Sequence, residues 1–239
     1  MQNLTSDIAI LLFTNTATQE AVEKNFVPGS GGGDANYLIA HTLLCYTLDM
    51  LQEVGLPLIV CTSEEQQGYT FGEKLSNAFH DVFEQGYQRV ICVGSDCPTL
   101  QAKDLLNAAE QLLKHNMVVG PTKDGGAYLI GMHIDCFNPE AFSMLNWQTS
   151  EVLNELTIYS FRQQSCMGCF FKLDEKSDVD NSADLRRALQ ELPVLSDLKR
   201  DLLAILLEAT NPYLHPSNSR FVLQEQSVRD MHLRAPPVY

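Results

Sequence analysis

The chain has 239 residues, 45% of them hydrophobic and 19% charged, and its 16 Lys and Arg against 30 Asp and Glu give a formal net charge of −14. That length suits one domain, at most two, with a core that needs no disulfide or metal staple. The acidic balance repels phosphate backbones and argues against nucleic acid as a partner. A bound divalent cation can still reverse the local sign for a small phosphorylated ligand. No apolar run reaches the ~20 residues of a bilayer span, and the opening MQNLTSDIAILLF lacks the basic start and cleavage site of a secretory leader. Seven scattered cysteines, an odd number, fit a reducing cytoplasm better than a disulfide framework.

Short β-rich apolar runs fall at 7–13, 56–62, 89–95, 117–121, 127–132 and 169–173, a length and character that suit strands buried on both faces. Amphipathic stretches separate them. Residues 35–55 carry Leu44, Leu48 and Leu51 at helical spacing, and 71–86 place Leu75, Ala78, Phe79, Val82 and Phe83 on one stripe. Residues 102–115 and 150–161 repeat the pattern. This alternation predicts an α/β sandwich with a largely parallel sheet. Two consecutive helices follow, over 182–192 and 196–210, with Pro193 between them. In the second, Leu202, Leu203, Ile205, Leu206 and Leu207 have two destinations open to them, the chain's own core or a partner such as a second copy in a homodimer. From Asn211 onward the chain has four prolines and no sustained period, and reads as a docked or partly ordered tail.

Three segments can carry chemistry. In RVICVGSDCPTL (89–100) an apolar strand ends and Asp96 follows at once. A carboxylate beyond a strand end can hold a hard cation, which can hold a diphosphate; the alternative is that Asp96 caps the next helix. In VVGPTKDGGAYLIGM (118–132) Asp124-Gly125 between apolar runs predicts a hairpin with a two-residue turn. On a functional reading, Gly125 and Gly126 let a ligand approach the backbone, with Asp124 beside it. In KLDEKSDVDNSADL (172–185) the alternation Asp178-Val179-Asp180 puts two carboxylates on one side of an extended chain, where they can complete a metal site with Asp96. The alternative is a solvated loop with Ser182 capping the following helix. The Gly-rich 28–33 lacks the Lys of a P-loop and reads as a flexible loop. Cys166 and Cys169 form a lone CxxC without a second ligand pair, and no GxSxG elbow is present.

Taken in order, QGYTFGEKLSNAF, VICVGSDCPTL, VVGPTKDGGAYLIGM, NWQTSEVL and DVDNSADL resemble a family of uncharacterised bacterial glycosyltransferase-like proteins. That family is often described as radical-SAM/selenodomain-associated transferases, in the nucleotide-diphospho-sugar transferase superfamily. The resemblance covers about residues 7–190. It implies a glycosyltransferase-A-like, three-layer α/β/α sandwich with a mostly parallel mixed sheet, as a domain over 1–195. Residues 196–239 would be a C-terminal helix and tail packed on that domain. It further implies Mg²⁺ or Mn²⁺ held by Asp96 and Asp180, with Asp178 as the alternate, under the diphosphate of a sugar nucleotide or nucleotide. Asp124 would take a proton from the acceptor, Gly125 and Gly126 would line the acceptor side, and Trp147 would wall the pocket.

One segment departs from the family. Its first strand is usually followed by a motif of the form KxPxxGxxKTRL, whose basic residues contact phosphates. Here FTNTATQEAVEKNF (13–26) keeps only Lys24 near the expected place, and Lys74 stands where the family commonly has Arg. Three functions are therefore carried forward. They are a metal-dependent sugar-nucleotide transferase, a nucleotidyltransferase releasing pyrophosphate, and a catalytically degenerate binding protein that keeps only the fold.

Overall fold

A computed structural model describes residues 7–29, 32–163 and 170–210. The strands are β1 (Ile8–Thr14), β2 (Leu58–Thr62), β3 (Arg89–Val93), β4 (Met117–Pro121), β5 (Ala127–His133) and β6 (Phe170–Lys172). They form one sheet in the order β2-β1-β3-β5-β4-β6. β1 pairs parallel with β2 and β3, and β4 with β6, while β5 runs antiparallel to both β3 and β4. All six expected strands are present in this mixed sheet.

The two-residue period of the strands sorts the core into two layers. Ile8, Ile10 and Leu12 of β1, with Ile91 and Val93 of β3, pack under α2 (Gly32–Glu53) and α4 (Ala102–Leu112). Ala9 and Leu11, with Val90 and Cys92, pack on the other face under α3 (Phe71–Glu84), α5 (Pro139–Ser143) and α6 (Val152–Arg162). Helices on both faces of the sheet make three layers. The start of α3 is fixed by a reciprocal capping box between Thr70 and Glu73. A third cluster joins α1 (Ala17–Glu23) and the first half of α2 to α7 (Ser182–Glu191) and α8 (Asp197–Thr210), through Ala17, Ile39, Leu43, Leu185, Leu189, Leu198, Leu202 and Ile205. One face of α8 is thus spent on the chain's own core, while Leu203 and Leu207 stay exposed.

Some details differ from the sequence expectation. α1 and α5 have no counterpart among the expected elements, because seven and five residues are too few for an amphipathic period to stand out. The hairpin between β4 and β5 exists, but its connection is 122–126 rather than a two-residue turn. The register shifts at Gly120/Pro121, and only Gly125 of this connection has positive φ, at 94°. α7 is capped by Asn181, whose side chain accepts from Ala183 and Asp184 N–H, and not by Ser182. α4 is capped at Gln101, so Asp96 does not serve as its cap. Cys166, Cys169 and the tail from Asn211 lie outside the described residues. Among the described residues no helix is long and apolar enough to cross a membrane, and Cys45, Cys61, Cys92, Cys97 and Cys136 are free thiols.

Phe142 of α5 is fully buried, with ring centroids 5.4 Å from Phe79, 4.9 Å from Trp147 and 5.6 Å from Tyr159. Phe142→Ala is expected to cost about 3–5 kcal/mol in urea unfolding, from lost transfer energy plus a cavity. A loss under about 1 kcal/mol would show that the aromatic cluster does not hold this face together.

Candidate functional site

The topology brings one set of chain ends to one edge of the sheet. β1, β2, β3, β4 and β6 end there and β5 begins there, as the strand registers require. The crossovers from β1 to β2 and from β2 to β3 lie on opposite faces, through α2 and α3, so the crevice between the ends of β1 and β3 is a switch point of the kind that binds ligands. A cavity of about 770 Å³ opens there, lined by Phe13 and Thr14 of β1, Val93 to Asp96 after β3, and residues of the 122–126 connection and the acidic segment. That volume is in the range of small-molecule sites.

Gly94 follows β3 because the Asp96 carboxylate folds back against it: a Cβ at Gly94 would meet Asp96 Oδ1 at 2.8 Å. Ser95 is buried and its hydroxyl pairs with that of Thr14 at 2.7 Å, tying the end of β1 to the end of β3. The acidic segment is then fixed by its backbone. Val179 N–H donates to Asp96 O at 2.9 Å, and Lys176 N–H to Pro121 O at 3.1 Å. A single parallel bridge joins Asn25 to Asn181. Val179 is fully buried in the third cluster, so the alternation of the extended chain aims Asp178 and Asp180 the other way, into the cavity.

The result is that one oxygen each from Asp96, Asp178 and Asp180 lie within 4.8 Å of one another. Lys24, at the C-cap of α1, enters this group. Its Nζ is 3.0 Å from Asp96 Oδ2, 2.8 Å from Asp180 Oδ1 and 2.9 Å from Glu20 Oε1, and it donates to Val179 O at 3.0 Å. Burial opposes the Lys24 charge, but Asp96, Glu20 and Asp180 outweigh it and raise the pKa well above the ordinary lysine value. Burial likewise opposes ionisation of Asp96, and the Lys24 ammonium reverses this, holding the carboxyl below its usual value. Among the described residues no cation pairs with Asp178. Burial, then the charges of Asp96, Asp180 and Asp124, push its pKa up to about 7.

The other expected residues are placed around this centre. Asp124 lines the cavity, and its Oδ1 accepts from the Thr122 hydroxyl and, at 3.1 Å, from Gly126 N–H. Gly126 also lines the cavity, whereas Gly125 is not among its lining residues: a Cβ there would stand 2.0 Å from Ser150 O. Trp147 is a cavity wall, with Nε1 donating to Phe142 O at 2.9 Å and its ring 5.8 Å from that of Phe71. Lys74 lines the cavity too. Beside Trp147, Gln148 takes φ of 60°, an unusual value for a residue other than glycine and a mark of strain at the rim.

Residues that the sequence analysis did not single out complete the site. Glu20 shares Lys24 and also accepts from Asn15 Nδ2 at 2.9 Å; Gln66 Nε2 donates to Thr14 O at 3.1 Å. The i,i+4 pair Glu20–Lys24 behind the N-cap Thr16 was the available signal, since that spacing puts both on one helix face. Among the lining residues Glu20, Glu23, Asp96, Asp124, Asp178 and Asp180 are acidic and Lys24 and Lys74 are basic, so full ionisation gives 2 − 6 = −4. A bare anionic ligand meets a net negative lining there.

The raised pKa of Asp178 has a thermodynamic consequence. Between about pH 4 and pH 7 the folded protein binds more protons at this group than the unfolded chain does. Its contribution to stability is therefore greatest below the unfolded pKa and falls as pH rises through about 7. Asp178→Asn is expected to raise stability at pH 8 by on the order of 1–2 kcal/mol, less than full linkage because water reaches the group, with no gain at pH 4. Equal effects at both pH values in denaturant titrations would contradict this.

Comparison with known proteins agrees with the architecture. Residues 40–149 match the model of a family described as "Uncharacterized protein conserved in bacteria (DUF2064)". The resemblance of the motifs to an uncharacterised bacterial family therefore holds over that stretch. A candidate nucleotide-diphospho-sugar transferase from Desulfovibrio desulfuricans G20 superimposes with a TM-score of 0.73 at 23% identity, over 85% of this chain and 98% of that one. At that identity the likeness concerns the fold, and the fold is glycosyltransferase-A-like. A cytidylyltransferase from Leptospira borgpetersenii serovar Hardjo-bovis (strain JB197) is more remote, with a TM-score of 0.45 at 13% identity, over 87% of this chain and 99% of that one. No curated protein matches the chain.

Proposed function

We propose that this protein is a metal-dependent transferase that uses a nucleotide-diphospho-sugar donor. The observation that carries the reading is the convergence of Asp96, Asp178 and Asp180 at the end of β3, on the wall of a cavity large enough for such a donor. Three carboxylate oxygens are the hard donors that suit Mg²⁺ or Mn²⁺. The net negative lining favours a cation over a bare anionic ligand. Asp96, Asp180 and Asp178 would hold the ion, which when bound supplies charge stabilisation to a departing diphosphate.

The chain's own residues do the rest. Lys24 and Lys74 are the basic groups of the lining and offer ammonium donors to phosphate oxygens. Asp124 lines the same cavity, near enough to Asp178 for its charge to act there, and is the carboxylate that would take the proton of an acceptor hydroxyl. Gly126 leaves room for the Thr122 and Asp124 side chains beside it, Gly125 holds the turn, and Trp147 walls the pocket. Attack on an α-phosphorus with release of pyrophosphate is favoured less, because a triphosphate adds charge to a lining with two cations. The free thiols suit a cytoplasmic setting.

Thermal melting with UDP-glucose, GDP-mannose and CDP-activated sugars, each with Mn²⁺ and with EDTA, tests the reading. At about 100 times Kd a ligand adds ~2.7 kcal/mol, a rise of about 5 °C or more for a chain of this size. The rise is expected only with Mn²⁺ and is expected to vanish in Asp96→Asn. A nucleotide shift of equal size in EDTA, or one that survives Asp96→Asn, would refute metal-dependent donor binding at this site.

A further inference from the structure

Lys24 occupies the place where a cation is wanted. Its ammonium has three N–H donors and four oxygens within 3.0 Å: Asp96 Oδ2, Asp180 Oδ1, Glu20 Oε1 and Val179 O. Two of those oxygens belong to the three carboxylates that would hold a metal. An ammonium and a divalent ion sharing the same two carboxylates would sit within a few ångström of each other and repel. The lysine stem is flexible and its donors rotate freely, so it can leave two of its partners without moving the backbone. That backbone is itself anchored, by Lys24 N–H to Glu20 O at 2.8 Å and by the Asn25–Asn181 bridge. Glu20 is one turn back on α1 and outside the metal trio, so it remains as a partner for the displaced ammonium.

We propose that Lys24 is a displaceable resident cation, which offsets part of the site's negative charge when it is empty and competes with the divalent ion for Asp96 and Asp180. This rests on the metal reading above and adds a consequence to it. Metal alone binds against the lysine and therefore weakly. Metal arriving with a nucleoside diphosphate binds more tightly, because the phosphate oxygens accept the ammonium that the carboxylates release. Metal and nucleotide then bind with positive coupling, and Lys24 is the group that couples them.

Mn²⁺ titration of the nucleotide-free protein, followed by electron paramagnetic resonance of free Mn²⁺, tests this with wild type, Lys24→Met and Lys24→Arg. Lys24→Met is expected to bind Mn²⁺ at least about tenfold more tightly than wild type, since a like charge has been removed from beside the ion. Lys24→Arg keeps the charge and is expected to stay within about threefold of wild type. Metal-free Lys24→Met is expected to melt at lower temperature than wild type, because its carboxylates lack a counter-charge, and Mn²⁺ is expected to restore it. Unchanged or weaker Mn²⁺ binding in a cooperatively melting Lys24→Met overturns the competition while leaving the metal site standing. Equal tightening in Lys24→Arg also overturns it, since charge is then not the cause. If neither wild type nor Lys24→Met binds Mn²⁺, the metal reading itself fails and the competition with it. Should Lys24→Met not fold without metal, Lys24→Gln carries the same comparison.

Discussion

The charge balance around the Lys24 ammonium is the constraint on which the site depends. Three aspartates are driven to one point by backbone features that have nothing to do with charge: the end of β3, the burial of Val179 and the bridge from Asn25 to Asn181. Their like charges repel at that separation. The ammonium pairs with two of them, and the third, Asp178, keeps its proton toward neutral pH instead. One cation is therefore enough to hold the cluster together and too little to satisfy it. The cluster therefore keeps a net negative charge beside its ion pair, the condition on which the proposed divalent site rests.

The fold supplies the rigidity for this arrangement. Core clusters lie on both faces of the sheet, so the ends of β1 and β3 cannot drift apart, and the Thr14–Ser95 hydroxyl pair locks their spacing from within. The third cluster, between α1, α2, α7 and α8, does the corresponding work for the two pieces that approach from outside. It presses α1, with Glu20 and Lys24, against the segment that carries Asp178 and Asp180. The long helix α2 belongs to both the first and third clusters and so transmits the position of one to the other. On the opposite side, Phe142 and Phe71 set the angle of the Trp147 wall.

Much of this was legible in the residues. The six strands stood out because each is a short, almost unbroken apolar run, and the long helices because their apolar stripes are wide. The alternation Asp178-Val179-Asp180 was readable as two carboxylates on one side, since the period of an extended chain is two. What could not be read was anything set by distant packing. α1 is a seven-residue helix whose only buried residue is Ala17, so no period announces it, and with it the partnership of Glu20 and Lys24 stayed hidden. Lys24 was expected to face phosphate; its capture by Asp96 and Asp180 spans 72 and 156 residues of chain and follows only from the fold. The 122–126 connection misled because Asp-Gly is the strongest two-residue hairpin signal, while Gly125 is needed for its approach to Ser150 O.

On the proposed function, the end of β3 gathers a divalent cation between Asp96, Asp178 and Asp180. Anomalous scattering from crystals grown with Mn²⁺ and a nucleoside diphosphate tests it most directly. A manganese peak is expected within bonding distance of Asp96 and Asp180, with Lys24 Nζ moved from those carboxylates to a phosphate oxygen. Ordered nucleotide in the cavity with no manganese at these aspartates, and Lys24 still between Asp96 and Asp180, would contradict it.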